Sequence, residues 1–178
     1  MRRLVLAVVV ASVLIVPARV SAQPPPTCFG ADVNDSRSTE GDDFLSGTDD
    51  ADVAALGDGD DQYFAGDGGD ELCGNDGADL LVGEAGPDQL NGGAGDDNLA
   101  GFGGNDDLWG GSGADTLRGY AGADTLRAGG DGVRDDLYDG FGADEIIGGD
   151  EDVWHRCDDD VTDDHSGFTG TILPDPDC

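Results

Sequence analysis

An aspartate returns every nine residues through most of this chain, and that regularity limits the fold more than any other feature of it. The series runs Asp43, Asp52, Asp61, Asp70, Asp79, Asp88, Asp97, Asp106, Asp115, Asp124, Asp135 and Asp144, and two extra residues between Asp124 and Asp135 are its single irregularity. Two places after each aspartate stands a hydrophobic or small apolar residue: Leu45, Ala54, Tyr63, Leu72, Leu81, Leu90, Leu99, Leu108, Leu117, Leu126, Leu137 and Ile146. Self-similarity at a short fixed period is the signature of a solenoid, in which a unit buries its apolar residue only by stacking on its neighbours. Glycine-rich low complexity would scatter Gly-Asp words without keeping phase, so an ordered repeat is expected.

The clearest units are Gly92-Gly93-Ala94-Gly95-Asp96-Asp97-Asn98-Leu99-Ala100 and Gly110-Gly111-Ser112-Gly113-Ala114-Asp115-Thr116-Leu117-Arg118, both of the form G-G-x-G-x-D-x-U-x. This pattern, carried through residues 38–147, resembles the RTX calcium-binding repeat. Within a unit the glycines fill the first four positions, where the backbone can reverse through positive φ at low steric cost. Three residues then remain for a strand begun by the position-six aspartate; its alternation points position eight inward and positions seven and nine outward. Leu72, Leu81, Leu90, Leu99, Leu108, Leu117 and Leu126 are the expected core ladder. The resemblance implies an all-β fold, a right-handed parallel β-roll solenoid with calcium in the turns and irregular N- and C-terminal caps. Two units make one coil in such a roll, so like turns recur every second unit.

That geometry ranks Asp61, Asp79, Asp97 and Asp115 on one edge and Asp70, Asp88, Asp106 and Asp124 on the other. Neighbours one strand spacing apart, about 4.8 Å, repel by about 3.5 kcal/mol at an effective dielectric near 20, so the empty roll is expected not to fold. A hard divalent cation between turns removes the conflict, because carboxylates and turn carbonyls are the oxygen ligands that Ca²⁺ accepts. Mg²⁺ fits less well, since it demands a tighter octahedron and keeps its waters. The candidate metal residues are Asp43, Asp61, Asp70, Asp79, Asp88, Asp97, Asp106, Asp115, Asp124 and Asp144, with the turn glycines Gly59, Gly68, Gly77, Gly95, Gly104, Gly113 and Gly122. The copies are unequal. Leu56 and Ala65 replace the first glycine, and Asn75, Glu84, Phe102 and Tyr120 the second. The first two units, with Ser38, Thr39 and Asp50 in glycine places, read as a cap with poor metal occupancy. The unit around Asp131-Gly132 reads as a bulge or skipped site.

Residues 1–22 have the charged, apolar and small-residue sections of a secretory signal peptide, with cleavage expected after Ala22, so a secreted chain is expected. Residues 23–37 form a linker or cap, residues 38–147 the roll, and residues 148–178 an acidic C-terminal cap or tail in which Trp154 is the candidate lid. The aspartates at 158–160 and 163–164 read as a solvated tail rather than a metal site. The net charge is −32, every basic side chain other than histidine is arginine, and loss of the leader makes the balance more negative still. Such a chain repels nucleic acid and anionic membrane surfaces, and a monomer is expected. Cys28, Cys73, Cys157 and Cys178 allow three pairings, of which Cys28 with Cys73 and Cys157 with Cys178 is favoured; the long spacings with no C-x-x-C argue against zinc.

Catalysis finds little footing. His155 and His165 stand outside any H-E-x-x-H word, and Ser112 and Ser166 outside G-x-S-x-G. A ligand face has better support, because Trp109 and Arg127, like Phe102 and Tyr120, are spaced to meet on neighbouring coils, with Arg118 near Tyr138. Shielding of the roll is the plainer role for these side chains. The expectation is therefore a secreted, non-catalytic protein whose β-roll folds on binding several extracellular Ca²⁺ ions; the alternative is a calcium-dependent carbohydrate-binding or adhesive accessory protein with a polysaccharide or cell-surface partner.

Overall fold

The computed structural model describes residues 38–157 and 163–175, together with the backbone at Thr27–Cys28 and Ala31–Asp32. The segment expected to be a leader, with its expected cleavage after Ala22, and Cys178 lie outside the described residues. A short antiparallel pair, β1 (Thr27–Cys28) and β2 (Ala31–Asp32), precedes the main body, and β1 lies against strands of it.

The body is built from β3 (Phe44–Ser46), β4 (Val53–Asp58), β5 (Gln62–Asp67), β6 (Glu71–Asp76), β7 (Leu80–Ala85), β8 (Gln89–Ala94), β9 (Asn98–Gly103), β10 (Asp107–Ser112), β11 (Thr116–Ala121), β12 (Thr125–Gly129), β13 (Asp136–Phe141), β14 (Glu145–Gly148), β15 (Val153–Arg156), β16 (Asp164–Phe168) and β17 (Thr171–Pro174). Successive strands alternate between two parallel sheets, a 7-stranded one of even-numbered strands from β4 to β16 and an 8-stranded one of odd-numbered strands from β3 to β17. The chain thus winds as a parallel β-roll of about 7 turns, without a helix among the described residues. No helix among them is long and apolar enough to cross a membrane.

Pairing joins each unit to the second unit after it. Leu72 faces Leu90 and Leu108 faces Leu126 in one sheet, while Leu81, Leu99 and Leu117 align in the other. All seven leucines are fully buried and form one ladder with Tyr63, Leu137, Ile146 and Trp154. Full burial of each is worth about 1.5–3 kcal/mol, and every leucine obtains it only from the coils above and below.

Strands in the regular coils are six residues long rather than three. They begin one place after the aspartate, at position seven, and run through the glycine-rich positions one to three of the next unit. The period-two rule accounts for this: if position eight points inward, so does position one of the following unit. Where position one is not glycine, its side chain is indeed buried, as with Leu56, Ala65 and Ala128. Positive φ is confined mainly to positions two and four, for example Gly93 (115°) and Gly95 (132°).

The two inserted residues do not cost a coil. Thr116 pairs with Asp136 and Leu126 with Ile146, so the extra length is taken up in the turn after β12 while Asp135 keeps its place. Gly130 and Gly132 in that turn have open space where a side chain would stand. Nor do the sheets stop at Ile147. Trp154 takes the inward position opposite Leu137, with Phe168 edge-on to it (6.1 Å, 72°), and β15 to β17 carry the parallel pairing on to Pro174.

Candidate metal sites

The position-six aspartates form two columns, one on each edge of the roll. In the body of each column the backbone N–H of an aspartate donates to Oδ1 of the aspartate 18 residues on: Asp61 to Asp79 (2.9 Å), Asp79 to Asp97 (2.9 Å), Asp70 to Asp88 (2.8 Å) and Asp88 to Asp106 (2.9 Å). The rows continue past the insertion, from Asp115 to Asp135 (2.8 Å) and from Asp124 to Asp144 (2.7 Å). They end on two residues that the spacing did not reveal, Asp152 (3.0 Å from Asp135 N) and Asp163 (3.2 Å from Asp144 N). Asp152 keeps one trace of the repeat, an apolar residue two places later in Trp154; Asp163 keeps none.

The second carboxylate oxygen is treated differently. Oδ2 of Asp61, Asp70, Asp79, Asp88, Asp97, Asp106, Asp115, Asp124 and Asp144 is buried without a hydrogen-bond partner. A buried polar atom left unsatisfied costs about 1–3 kcal/mol, and more if charged, so its recurrence in one coil after another is not an accident of packing.

What surrounds that oxygen is oxygen. Gly74 holds position one of its unit, and a Cβ placed there would overlap Asp79 Oδ2 and the Gly92 carbonyl oxygen together; the same convergence recurs at Gly92 with Asp97 and Gly110, and at Gly119 with Asp124 and Asp139. Glycine at position one therefore keeps a small cradle open between a carboxylate and a main-chain carbonyl of the next coil. At position four, Gly59, Gly77, Gly95 and Gly113 stack on one edge and Gly68, Gly104 and Gly122 on the other, with Gly86, which the sequence reading passed over, between Gly68 and Gly104. Gly95 packs against the Gly77 carbonyl and Gly113 against the Gly95 carbonyl, too closely for any side chain. A donor set of carboxylate and carbonyl oxygens fits a hard divalent cation such as Ca²⁺.

The electrostatics agree. Burial pushes the carboxyls of Asp88, Asp97, Asp135 and Asp144 up to about 7 and those of Asp79, Asp115 and Asp124 up to about 6. The N–H bond to Oδ1 works against the shift, and neighbouring carboxylates add to it. These groups are held in a place that disfavours their charge, and a cation at Oδ2 would reverse that preference.

The first two units solve the problem without a cation. Asp43 Oδ2 accepts from the Thr39 N–H (2.6 Å) and hydroxyl (3.0 Å), and Asp52 Oδ2 accepts from the Thr48 N–H (2.7 Å) and hydroxyl (3.1 Å). Asp43 thus stands at the N-terminal end of its column with Oδ2 twice engaged and its own N–H donated to Asp61 Oδ1 (2.7 Å).

The aromatic and arginine residues pair as their spacing suggested, on opposite faces. On the 7-stranded sheet the Arg127 guanidinium lies 4.7 Å from the Trp109 ring centre and is bonded to Asp107. On the 8-stranded sheet Phe102 and Tyr120 stack at 4.5 Å and 10°, Arg118 lies over Tyr138 at 4.9 Å, and Tyr138 stacks on His155 at 4.1 Å. Phe102, Arg118, Tyr120, Tyr138 and Phe141 line a surface groove of about 430 Å³.

Among protein families, the RTX calcium-binding nonapeptide repeat matches residues 38–72, 74–108 and 100–132, which together make up more than half of the chain. No curated protein matches it.

Proposed function

Since the chain belongs to the RTX calcium-binding nonapeptide repeat family and is a calcium-binding repeat protein, we propose that its β-roll folds on meeting extracellular Ca²⁺ after export and carries out no reaction of its own. The single observation that carries this reading is the buried, unpartnered Oδ2 that recurs down both columns. Asp61, Asp79, Asp97 and Asp115 would hold ions on one edge and Asp70, Asp88, Asp106, Asp124 and Asp144 on the other, each with turn carbonyls. A bound Ca²⁺ supplies the positive charge that the ranked carboxylates otherwise lack. With extracellular modules binding at about 10⁻⁴ to 10⁻³ M, each site adds about 1 kcal/mol near 1 mM Ca²⁺, and several sites reach the stability of a whole domain.

Calcium titration of the processed chain, followed by far-ultraviolet circular dichroism and calorimetry, tests the proposal. A coil-to-β transition at millimolar Ca²⁺, with Mg²⁺ much less effective, is expected. An equally compact, β-rich chain in excess chelator would overturn it. Export is checked by the N-terminus of the external protein, expected at Gln23. The proposed Cys28–Cys73 and Cys157–Cys178 bridges are checked by non-reducing peptide mapping. Support for them comes from β1, which ends at Cys28 and lies against the Cys73 strand β6, and from Cys73 and Cys157, neither of which is a free thiol.

A second reading, calcium-dependent binding of a carbohydrate or other surface polymer, is favoured by one feature. Phe102 (φ 72°) and Tyr120 (φ 73°) stand in the left-handed region where the repeat prefers glycine, and both rings are exposed. Backbone strain of about 1–3 kcal/mol per residue is kept only where something compensates it, and such strain gathers at ligand sites. A glycan array read with and without Ca²⁺ distinguishes the readings. Calcium-dependent binding abolished by Tyr120→Gly, or by Trp109→Ala or Arg127→Ala on the opposite face, supports the second; absence of binding to any polymer leaves the first alone.

A further inference from the structure

We propose that Asp139, Asp144 and Asp163 form a cation site of a second kind at the C-terminal end of the roll, one that takes a divalent cation through three side-chain carboxylates. The inference rests on the calcium reading above and goes beyond it in naming a site that the repeat pattern does not contain.

Asp139 occupies position one, the place held by Gly74, Gly83, Gly92, Gly101, Gly110 and Gly119 in the regular units. In each of those, the space beside the glycine is filled by Oδ2 of the aspartate five residues later. Here a second carboxylate enters that space, yet Asp144 keeps its column place, accepting from Asp124 N at 2.7 Å. Asp163 adds a third, receiving the Asp144 N–H at 3.2 Å. Ligand oxygens of the three lie within 4.8 Å of one another.

The cluster is enclosed and held rigidly. Asp139 is 0% and Asp144 2% exposed, and the Asp163 side chain is 2% exposed. Asp139 is fixed by Trp154 Nε1 (3.0 Å), the Cys157 N–H (3.1 Å) and the Gly140 N–H (2.8 Å). Asp144 Oδ2, almost wholly buried, has no hydrogen-bond partner. Arg156 Nε lies 3.8 Å from Asp163 Oδ2 and brings one positive charge against three negative ones. Buried charge of this kind is tolerated when paired or bound to a metal, and a divalent ion with Arg156 brings the cluster to neutrality.

An all-carboxylate, irregular oxygen cage suits Ca²⁺, whose coordination adapts, over Mg²⁺, whose octahedron does not. Affinity in calcium sites rises with the number of charged ligands and with rigidity. A turn cradle offers one carboxylate and carbonyls, whereas this site offers three carboxylates braced by a buried indole. It is therefore the tightest site among the described residues and ties β13, the turn into β14 and the segment leading into β16 together.

The test uses the full processed chain with Trp109→Phe, which leaves Trp154 as the only tryptophan. Tb³⁺, a luminescent substitute for Ca²⁺, is titrated while Trp154-sensitised emission is recorded, and Ca²⁺ binding is measured by calorimetry. One event at least about tenfold tighter than the remainder is expected, coincident with sensitised emission. Asp139→Asn and Asp163→Asn should each weaken it by about tenfold or more. Asp139→Gly restores the residue of the regular units, so it secures a folding variant and should convert the tight event into one like the others. If the variants fold with Ca²⁺ by circular dichroism while tight binding and emission stay as in the parent, the site is refuted. A parent that shows no calcium-dependent folding at all refutes the broader calcium reading instead.

Discussion

Position one of the glycine-bearing units carries a demand that the sequence states only indirectly: there an inward-facing backbone site stays bare and a carboxylate leans over it. Gly92→Ala would drive a methyl group into Asp97 and the Gly110 carbonyl, and main-chain atoms cannot swing aside. We expect a loss of about 1–3 kcal/mol and a calcium-folding midpoint moved to higher concentration. Gly130→Ala, in open space, should stay within about 0.5 kcal/mol of the parent in the same titration. The buried leucines and the two columns were legible because a nine-residue phase fixes both at once. Thr39 was recognised as a departure from glycine and Thr48 was not singled out, and their closure of Asp43 and Asp52 depends on where a hydroxyl lands, which spacing does not encode. Asp139 was hidden for a similar reason, since its place in the unit becomes informative only once position one is known to face inward.

The columns act as elements in their own right. Because burial raises the carboxyls of Asp88, Asp97, Asp135 and Asp144 to about 7, the metal-free roll binds more protons than the unfolded chain. Stability from these groups is complete below the ordinary carboxylate value near 4 and is lost as pH rises through about 7. In chelator, circular dichroism should therefore show more β-structure at pH 5 than at pH 7.5; identical spectra would contradict the buried environment described for the columns. With calcium the sign reverses, since ligands must be deprotonated, and the folding midpoint should move to higher Ca²⁺ between pH 7.5 and pH 6. The C-terminal strands β15 to β17 were the least legible elements. Their coil keeps Gly148, Gly149, Gly167 and Gly170 but not in the repeat's spacing, and Asp152 and Asp163 follow their column neighbours by 17 and 19 residues instead of 18.

At the scale of the molecule, a net charge of −32 invites the idea that general screening would suffice to fold the chain. The placement of the charges argues otherwise. Exposed charges are screened within about 8 Å at physiological salt, but Oδ2 in the columns is shielded from solvent and stays without a partner whatever the bulk ionic strength. We expect 0.5 M NaCl with chelator to leave the circular dichroism that of a coil, while millimolar Ca²⁺ at low salt produces the roll. The ladder of aspartate N–H groups has a further effect on so long a stack, because each rung is donated forward to the coil that follows. An aspartate N–H therefore finds its acceptor only in the succeeding coil, so removing a coil orphans the donors of the one before it, and each edge of the stack holds together as a single rail.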